Sequence, residues 1–371
     1  MKKLNAILFV SLVLLCGCGQ ENAVAQESGK PGVENPGGNN PGGENPGSGD
    51  NPGSGDNPGS GDNPGENPGS GDNPGENNPG GSGDKDDESG NTNNVNPFNF
   101  ETRTVLLNSG YEMPIVGIGT YMLSAAQAEE SVYNALKIGV RLIDTADIYG
   151  NERGVGRGLQ RGMRDFGIKR EEIFVTTKLW TSDFYRADEE VDERLERLGL
   201  DYIDLLLLHH TARDDEHAYQ AMERGVEAGK IHSIGISNFY EADIDRMMKI
   251  AKIKPAVIQN ELHPYFQERS VKKHIAPLGT VMESWFPLGG RGTGIRTLSQ
   301  HEVITKIAEA HGKSPYQVLI RWHLQSGNIA IPGSSNAAHI AENYNVFDFE
   351  LTPDEMKQIN DLDCNHRFAN Y

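Results

Sequence analysis

Arg141-Leu-Ile-Asp144-Thr-Ala-Asp-Ile-Tyr149 runs from an apolar, strand-like segment into an acid, and a phenol follows five residues later. Two further segments repeat the layout. Ile173-Phe-Val-Thr-Thr-Lys178 ends an apolar run in a lysine, and Asp204-Leu-Leu-Leu-Leu-His209 ends one in a histidine. Each sets an ionisable side chain at the carboxyl end of a segment that reads as a parallel strand buried on both faces. In a (β/α)8 barrel those strand ends converge on one face, which holds the active site. The layout therefore predicts that Asp144, Tyr149, Lys178 and His209 meet in one pocket.

Working outward, short apolar runs recur at 116–119, 141–144, 173–178, 204–209, 233–237, 256–260, 280–285 and 329–332. Between them lie segments of helical period, such as 125–138 with Ala128, Val132, Ala135 and Leu136 on one face. Eight such alternations predict an α/β fold of the TIM-barrel type. Gly139, Gly199 and Gly229 stand where helices would be capped. Ahead of the first strand, 104–107 and 112–115 flank Asn108-Ser-Gly110, which predicts an N-terminal β-hairpin plugging the barrel floor. The rival α/β reading, a doubly wound sheet, needs Gly-x-Gly-x-x-Gly directly after a strand. Gly154-Val-Gly156-Arg-Gly158 has the wrong spacing and the wrong place for that.

The first hundred residues read differently. In segment 1–17, Lys2 and Lys3 precede an apolar run, 4–15, that is too short to cross a bilayer and has the form of a signal peptide. Leu15-Cys16-Gly17-Cys18 resembles a bacterial lipobox, which implies Cys18 as the lipidated residue and a lipoprotein anchored in the cell envelope; a start placed too far upstream would instead leave a cytoplasmic protein. No apolar run of 18 or more residues occurs elsewhere, so lipid is the anchor to expect. Residues 18–100 are mostly Gly, Pro, Asn, Ser and acid, with Asn-Pro-Gly-Ser-Gly-Asp repeated, and predict a disordered linker. From Gly19 to Phe100 there are 14 acidic residues against Lys30 and Lys85, so the stretch supplies −12 of the total charge of −19. As a flexible coil of about 80 residues it would span roughly 50 Å. The acidic globular part, 101–371, carries no long basic run, which argues against nucleic acid as a partner. Of the three cysteines only Cys364 falls in the folded part, so no disulfide staples it.

Four motifs, in order, make the chain from about 102 to 363 resemble the aldo-keto reductases: Ile143-Asp-Thr-Ala-Asp-Ile-Tyr149-Gly-Asn-Glu152, Thr177-Lys-Leu-Trp180, Asp201-Tyr-Ile-Asp-Leu-Leu-Leu-Leu-His209 and Ile234-Gly-Ile-Ser-Asn-Phe239. The resemblance implies an oxidoreductase that passes hydride from a nicotinamide cofactor to a small aldehyde or ketone, with Asp144, Tyr149, Lys178 and His209 as its tetrad. The residue types suit that chemistry. A carbonyl oxygen that receives hydride on its carbon becomes an alkoxide and needs a proton from a positioned acid. A phenol, with an ordinary pKa of about 10, gives its proton readily at neutral pH only if a cation such as Lys178 favours the phenolate. Asp144 would hold that ammonium charged, and His209 would orient the carbonyl.

The resemblance also implies cofactor contacts: Gly119 and Thr120 after the first strand; Ser237, Asn238 and Gln259 for the nicotinamide carboxamide; Trp285 stacked on the ring; Leu288 and Gly289 at the pyrophosphate. Ser334, His339, Glu342 and Asn343 match the adenosine-phosphate end. Gly333 and His339 stand where many members carry lysine and arginine, so the expected cofactor is NADPH with NADH possible. Tyr121 and Trp180 match the aromatic walls of the substrate pocket. The short tail after Asp363 implies an open pocket, and the family suggests a monomer. A metal hydrolase is the rival catalytic reading, suggested by His209 and His210, but successive strand residues point to opposite faces and no metal is expected. A third reading keeps the barrel as an envelope protein that binds the cofactor without significant turnover.

Overall fold

The computed structural model describes residues 98–369. The signal segment 1–17, Cys18 and the linker as far as residue 97 lie outside the described residues. The last linker positions of the sequence reading are already part of the domain. Asn99 bridges Thr104, and Phe98 and Phe100 pack against the core.

The hairpin forms as expected, β1 (Thr104–Leu106) pairing antiparallel with β2 (Glu112–Pro114). Its apolar side, Val105 and Met113, is buried. Its turn is tied to the segments that lead into later strands. Asn108 Nδ2 donates to the carbonyls of Pro255 at 3.0 Å and Leu278 at 3.2 Å, and the hydroxyls of Ser109 and Ser233 lie 2.8 Å apart. The hairpin thus covers the amino-terminal end of the strands, the floor opposite the chemistry.

Eight parallel strands follow: β3 (Ile118–Gly119), β4 (Leu142–Asp144), β5 (Phe174–Leu179), β6 (Ile203–Leu208), β7 (Ile231–Ser237), β8 (Val257–Glu261), β9 (Val281–Trp285) and β10 (Asn328–Ala330). They pair in chain order. Bridges between Val116 and Ala330 and between Gly119 and Gly333 join the first strand to the last and close the barrel. Every residue of β4, β5, β6, β8 and β10 is buried, as strands sandwiched between helices and barrel interior must be. The outer helix Ala125–Lys137 buries Ala128, Ser131, Val132, Ala135 and Leu136, and Ser124 starts it with a capping box closed by Gln127. Gly199 takes the left-handed conformation that ends helix Ala187–Leu198.

The glycine-rich stretch 154–162 is neither a loop nor a phosphate cradle. It lies inside helix Glu152–Phe166, where Gly154, Gly158 and Gly162 present bare backbone to the Ala125–Lys137 helix and Gly156 presents it to the end of the Ala187–Leu198 helix.

Candidate active site

Asp144 ends β4 and Lys178 stands next to the end of β5; the register pairs Asp144 with Thr176, two residues before Lys178, and the lysine side chain reaches the carboxylate from there. Lys178 is fully buried and Asp144 nearly so. The ammonium donates to both Asp144 carboxylate oxygens and to the Thr145 carbonyl, each at 2.8 Å. Its remaining approach, at 3.5 Å, is to the Tyr149 hydroxyl. Burial pushes the Asp144 carboxyl up, and the Lys178 charge beside it pulls it back. A carboxyl group that takes N–H donors on both oxygens is the ionised form, so we read the pair as an ion pair. Thr120, placed by family likeness at the cofactor, bonds Asp144 instead: its N–H and its hydroxyl both donate to the Asp144 carbonyl at 3.0 Å.

Tyr149 ends a single 3-10 turn, Asp147–Tyr149, closed by left-handed Gly150. Two ties hold that turn. The Asn151 amide donates to the carbonyls of Thr120 at 2.8 Å and Leu123 at 3.0 Å and accepts from the Thr145 hydroxyl at 2.9 Å. On the other side, Arg197 donates to Asp147 at 2.5 Å, and buried Arg194 lies 3.1 Å from Asp147 and 3.0 Å from Glu152. Glu152 in turn accepts from Thr177, the residue before Lys178, at 2.6 Å. Asp147, Asp183 and Glu190 also come together closely enough to suggest a cation site. Arg194 and Arg197 on Asp147, with Arg186 and Arg194 on Glu190, supply the opposing charge there.

His209 follows β6 and is 8% exposed. Burial, then the Lys178 charge, then His210, lower its pKa to about 2, so the imidazole is neutral at any working pH. Its Nδ1 is buried with no partner among the described residues, which leaves Nε2 as the ring nitrogen for the pocket. Trp180 and Tyr149 meet the ring edge-on, with centroids at 5.0 and 5.7 Å. His209 and His210 are stacked 13° from parallel, and Asn238 approaches the His210 Nε2 at 3.4 Å.

These groups open onto a cavity of about 240 Å³ at the carboxyl ends of the strands. Asp144, Tyr149 and His209 line its base; Tyr121, Ile148, Trp180 and Phe286 form an aromatic and apolar mouth. Ser237, Asn238, Gln259 and Trp285 line the opposite wall. Asn238 ties that wall together from a left-handed backbone, φ 59°. Its amide donates to the His209 carbonyl at 2.9 Å and to the Ser237 hydroxyl at 3.1 Å, and its oxygen accepts the Trp285 indole N–H at 3.1 Å. This strut across the ends of β6, β7 and β9 was not visible in the sequence, because it depends on register between distant strands.

The wall suits a nicotinamide cofactor. An indole face stands at one side, short polar groups lie at the base, and glycine backbones line the way out. A Cβ on Gly119 would meet the Ile331 carbonyl at 2.9 Å, and one on Gly333 would meet the Gly119 carbonyl at 3.0 Å. Leu288 also lines the cavity, whereas Gly289, with φ 81°, makes the turn behind it. Ser334, His339, Glu342 and Asn343 do not line the cavity. They lie past Gly333, on the turn into helix Ala337–Tyr344 and on the helix itself, where His339 is exposed and Asn343 buried. The carboxyl tail stays outside the cavity too. Glu261 anchors it by accepting from Arg367 Nε at 3.0 Å and from the Phe368 and Ala369 amides at 2.6 and 3.2 Å.

Four polar groups gathered at the strand ends of a parallel barrel, beside a wall that suits a nicotinamide, are the layout that a carbonyl reductase would need. Comparison with known proteins agrees. Residues 116–363 match the Aldo/keto reductase family. The chain is 39% identical over 303 residues to the NAD(P)H-dependent D-xylose reductase I,II of Candida tropicalis, covering 71% of this chain and 94% of that protein. It is 40% identical over 268 residues to a methylglyoxal reductase of Yersinia pestis, covering 71% and 94%. Among solved structures, an aldo/keto reductase from Brucella melitensis matches with TM-score 0.66 and 40% identity, over 70% of this chain and 99% of that one. The Bombyx mori aldo-keto reductase in complex with NADP matches with TM-score 0.67 and 34% identity, over 72% and 94%. The chain belongs to the aldo/keto reductase family, and it is an NAD(P)H-dependent oxidoreductase.

Proposed function

We propose that this chain reduces the carbonyl group of small aldehydes and ketones, with Tyr149 as the general acid. The nicotinamide, when bound, supplies hydride to the carbonyl carbon. Tyr149 gives its hydroxyl proton to the carbonyl oxygen as charge develops there. The Lys178 ammonium, pinned by Asp144 and the Thr145 carbonyl, stabilises the phenolate left behind. Neutral His209 offers a ring N–H to the same oxygen and so orients it. The 3.5 Å approach of the buried ammonium to the phenol carries this reading, because it sets a fixed positive charge beside the oxygen where a phenolate would form. The Tyr149→Phe variant should fold and still quench its tryptophan fluorescence with cofactor, yet lose at least a hundredfold of its rate against methylglyoxal, the effect typical of a lost general acid. Full activity in that variant would refute the assignment, and cofactor binding without oxidation in the wild type would favour a non-catalytic binding protein.

For the cofactor, NADPH with NADH accepted is the choice that the adenosine end supports. Gly333 has no side chain, and His339 sets an imidazole where many members carry a guanidinium fork for a 2′-phosphate. Installing Gly333→Lys with His339→Arg should raise the preference for NADPH over NADH by tenfold or more, the scale of a charge-assisted contact. Unchanged kcat/KM ratios would show that other residues set the choice.

A further inference from the structure

The barrel interior holds a carboxyl group that the reaction above does not use. Glu283, in the middle of β9, is fully buried and lies in register with Gln259 of β8. The Gln259 Nε2 donates to Glu283 Oε2 and to Asp144 Oδ2, each at 2.8 Å. A primary amide has two N–H hydrogens, so the two carboxyl groups take both. The amide is thereby fixed end for end. Its nitrogen is committed to the carboxyls, and its Oε1 accepts no hydrogen bond from the described residues although Gln259 lines the cavity. The other Glu283 oxygen is buried without a partner.

A carboxylate oxygen with no donor in a dry interior is costly, so Glu283 is a neutral acid at moderate pH. Burial first, and then the Asp144 charge, push it up to about 8. The ionisable groups that face it are Asp144 from β4 and Lys178 from β5, with Tyr149 and neutral His209 above them. Its flanking strand β10 and the closing strand β3 bring no ionisable side chain.

We propose that Glu283 is a positioning residue beneath the cofactor: with Asp144 it locks the Gln259 amide, and its loss of a proton turns the site toward the oxidised nicotinamide. The inference rests on the oxidoreductase reading above. Reduced nicotinamide is neutral and the oxidised ring is a cation, so a second buried negative charge strengthens binding of the oxidised form alone. By linkage, binding of the oxidised cofactor releases the Glu283 proton. The enzyme then leans toward carbonyl reduction at lower pH and toward alcohol oxidation at higher pH, beyond the shift that the proton consumed in the reaction itself imposes.

The test is binding, followed by tryptophan fluorescence quenching with NADP+ and NADPH from pH 6 to 9.5, in wild type, Glu283→Gln and Tyr149→Phe. In wild type, the ratio of the NADP+ to the NADPH dissociation constant should fall about tenfold across that range. The fall should persist in Tyr149→Phe, which removes the other ionising hydroxyl, and vanish in Glu283→Gln, which keeps the amide bridge. A flat ratio in wild type, or a fall that disappears in Tyr149→Phe and survives in Glu283→Gln, overturns the role of Glu283 while leaving the reductase intact. A flat wild-type ratio, or a fall lost in Tyr149→Phe, overturns it without Glu283→Gln; should that variant fold poorly, Glu283→Asp, which keeps the acid and shortens it, should keep the fall, and loss of the fall there in a folded protein that still binds both cofactors counts against the role. No quenching by either cofactor overturns both readings together.

Discussion

Lys178 has three ammonium protons and a use for each: the Asp144 carboxylate, the Thr145 carbonyl and the Tyr149 hydroxyl. An ammonium so placed cannot swing away to solvent, and that fixity separates Lys178 from a surface lysine. The sequence pointed to Lys178 because an apolar run ended in it. It could not point to Glu283 in the same way, since a lone glutamate in Val281-Met-Glu283-Ser-Trp285 reads equally as a strand turned toward solvent. Buried neutral groups also set the pH range of the fold. The pKa values of His209, about 2, and His323, about 3, lie below the ordinary 6.5, so the folded chain resists protons that the unfolded chain accepts, and stability falls as pH drops below 6.5. Glu268 and Glu283, both raised from 4.5 to about 8, keep protons that the unfolded chain releases, and stability falls as pH rises from 4.5 through 8. Each contributes a slope of up to about 1.4 kcal/mol per pH unit. Thermal melts should therefore peak between pH 4.5 and 6.5; a midpoint that climbs steadily from pH 6 to 9 would contradict these assignments.

At the scale of elements, the Glu152–Phe166 helix shows how a glycine pattern deceives when read alone. Gly154-Val-Gly156-Arg-Gly158 lacks the spacing of a phosphate loop, and the structure gives its use as close helix packing. A Cβ on Gly154 would lie 2.0 Å from the Ala125 carbonyl oxygen, and one on Gly156 2.4 Å from that of Leu198. Intrinsic propensity favours Gly→Ala in a helix by about 1 kcal/mol. Here the collision is with backbone and outweighs it, so Gly154→Ala should lose about 1–3 kcal/mol of stability, read as a lower urea midpoint. A gain would mean that the two helices separate freely. The strands were legible for the opposite reason: continuous apolar runs closed by a polar residue need no partner to be recognised. Their ends were less so. The first run, read as 116–119, keeps only Ile118–Gly119 as strand because Val116 pairs alone with Ala330, a neighbour that sequence order does not reveal.

For the whole molecule, the barrel and its family were readable from four motifs, whereas the ties that hold the tetrad were not. Arg194, Asn151 and Asn238 act between segments far apart in the chain; Asn151 and Asn238 stand in recognisable motifs, but nothing in the local sequence tells which partners they tie. What precedes the barrel remains a proposal. We propose that the chain is lipidated at Cys18 and held at the cell envelope by an acidic tether, on the strength of the lipobox-like Leu15-Cys16-Gly17-Cys18. Metabolic labelling with a tritiated fatty acid should mark the wild type and not Cys18→Ser; label in both, or in neither, would remove the anchor. The barrel also carries a consequence of how it closes. Its first and last strands meet at bridges that end on Gly119 and Gly333, backbone against backbone at the rim of the cavity. A barrel is a ring, and here the clasp of the ring is part of the bed for the ligand. Whatever lies across those glycines touches the earliest part of the wall and the latest, so a bound ligand spans the seam of a ring that the backbone has already closed.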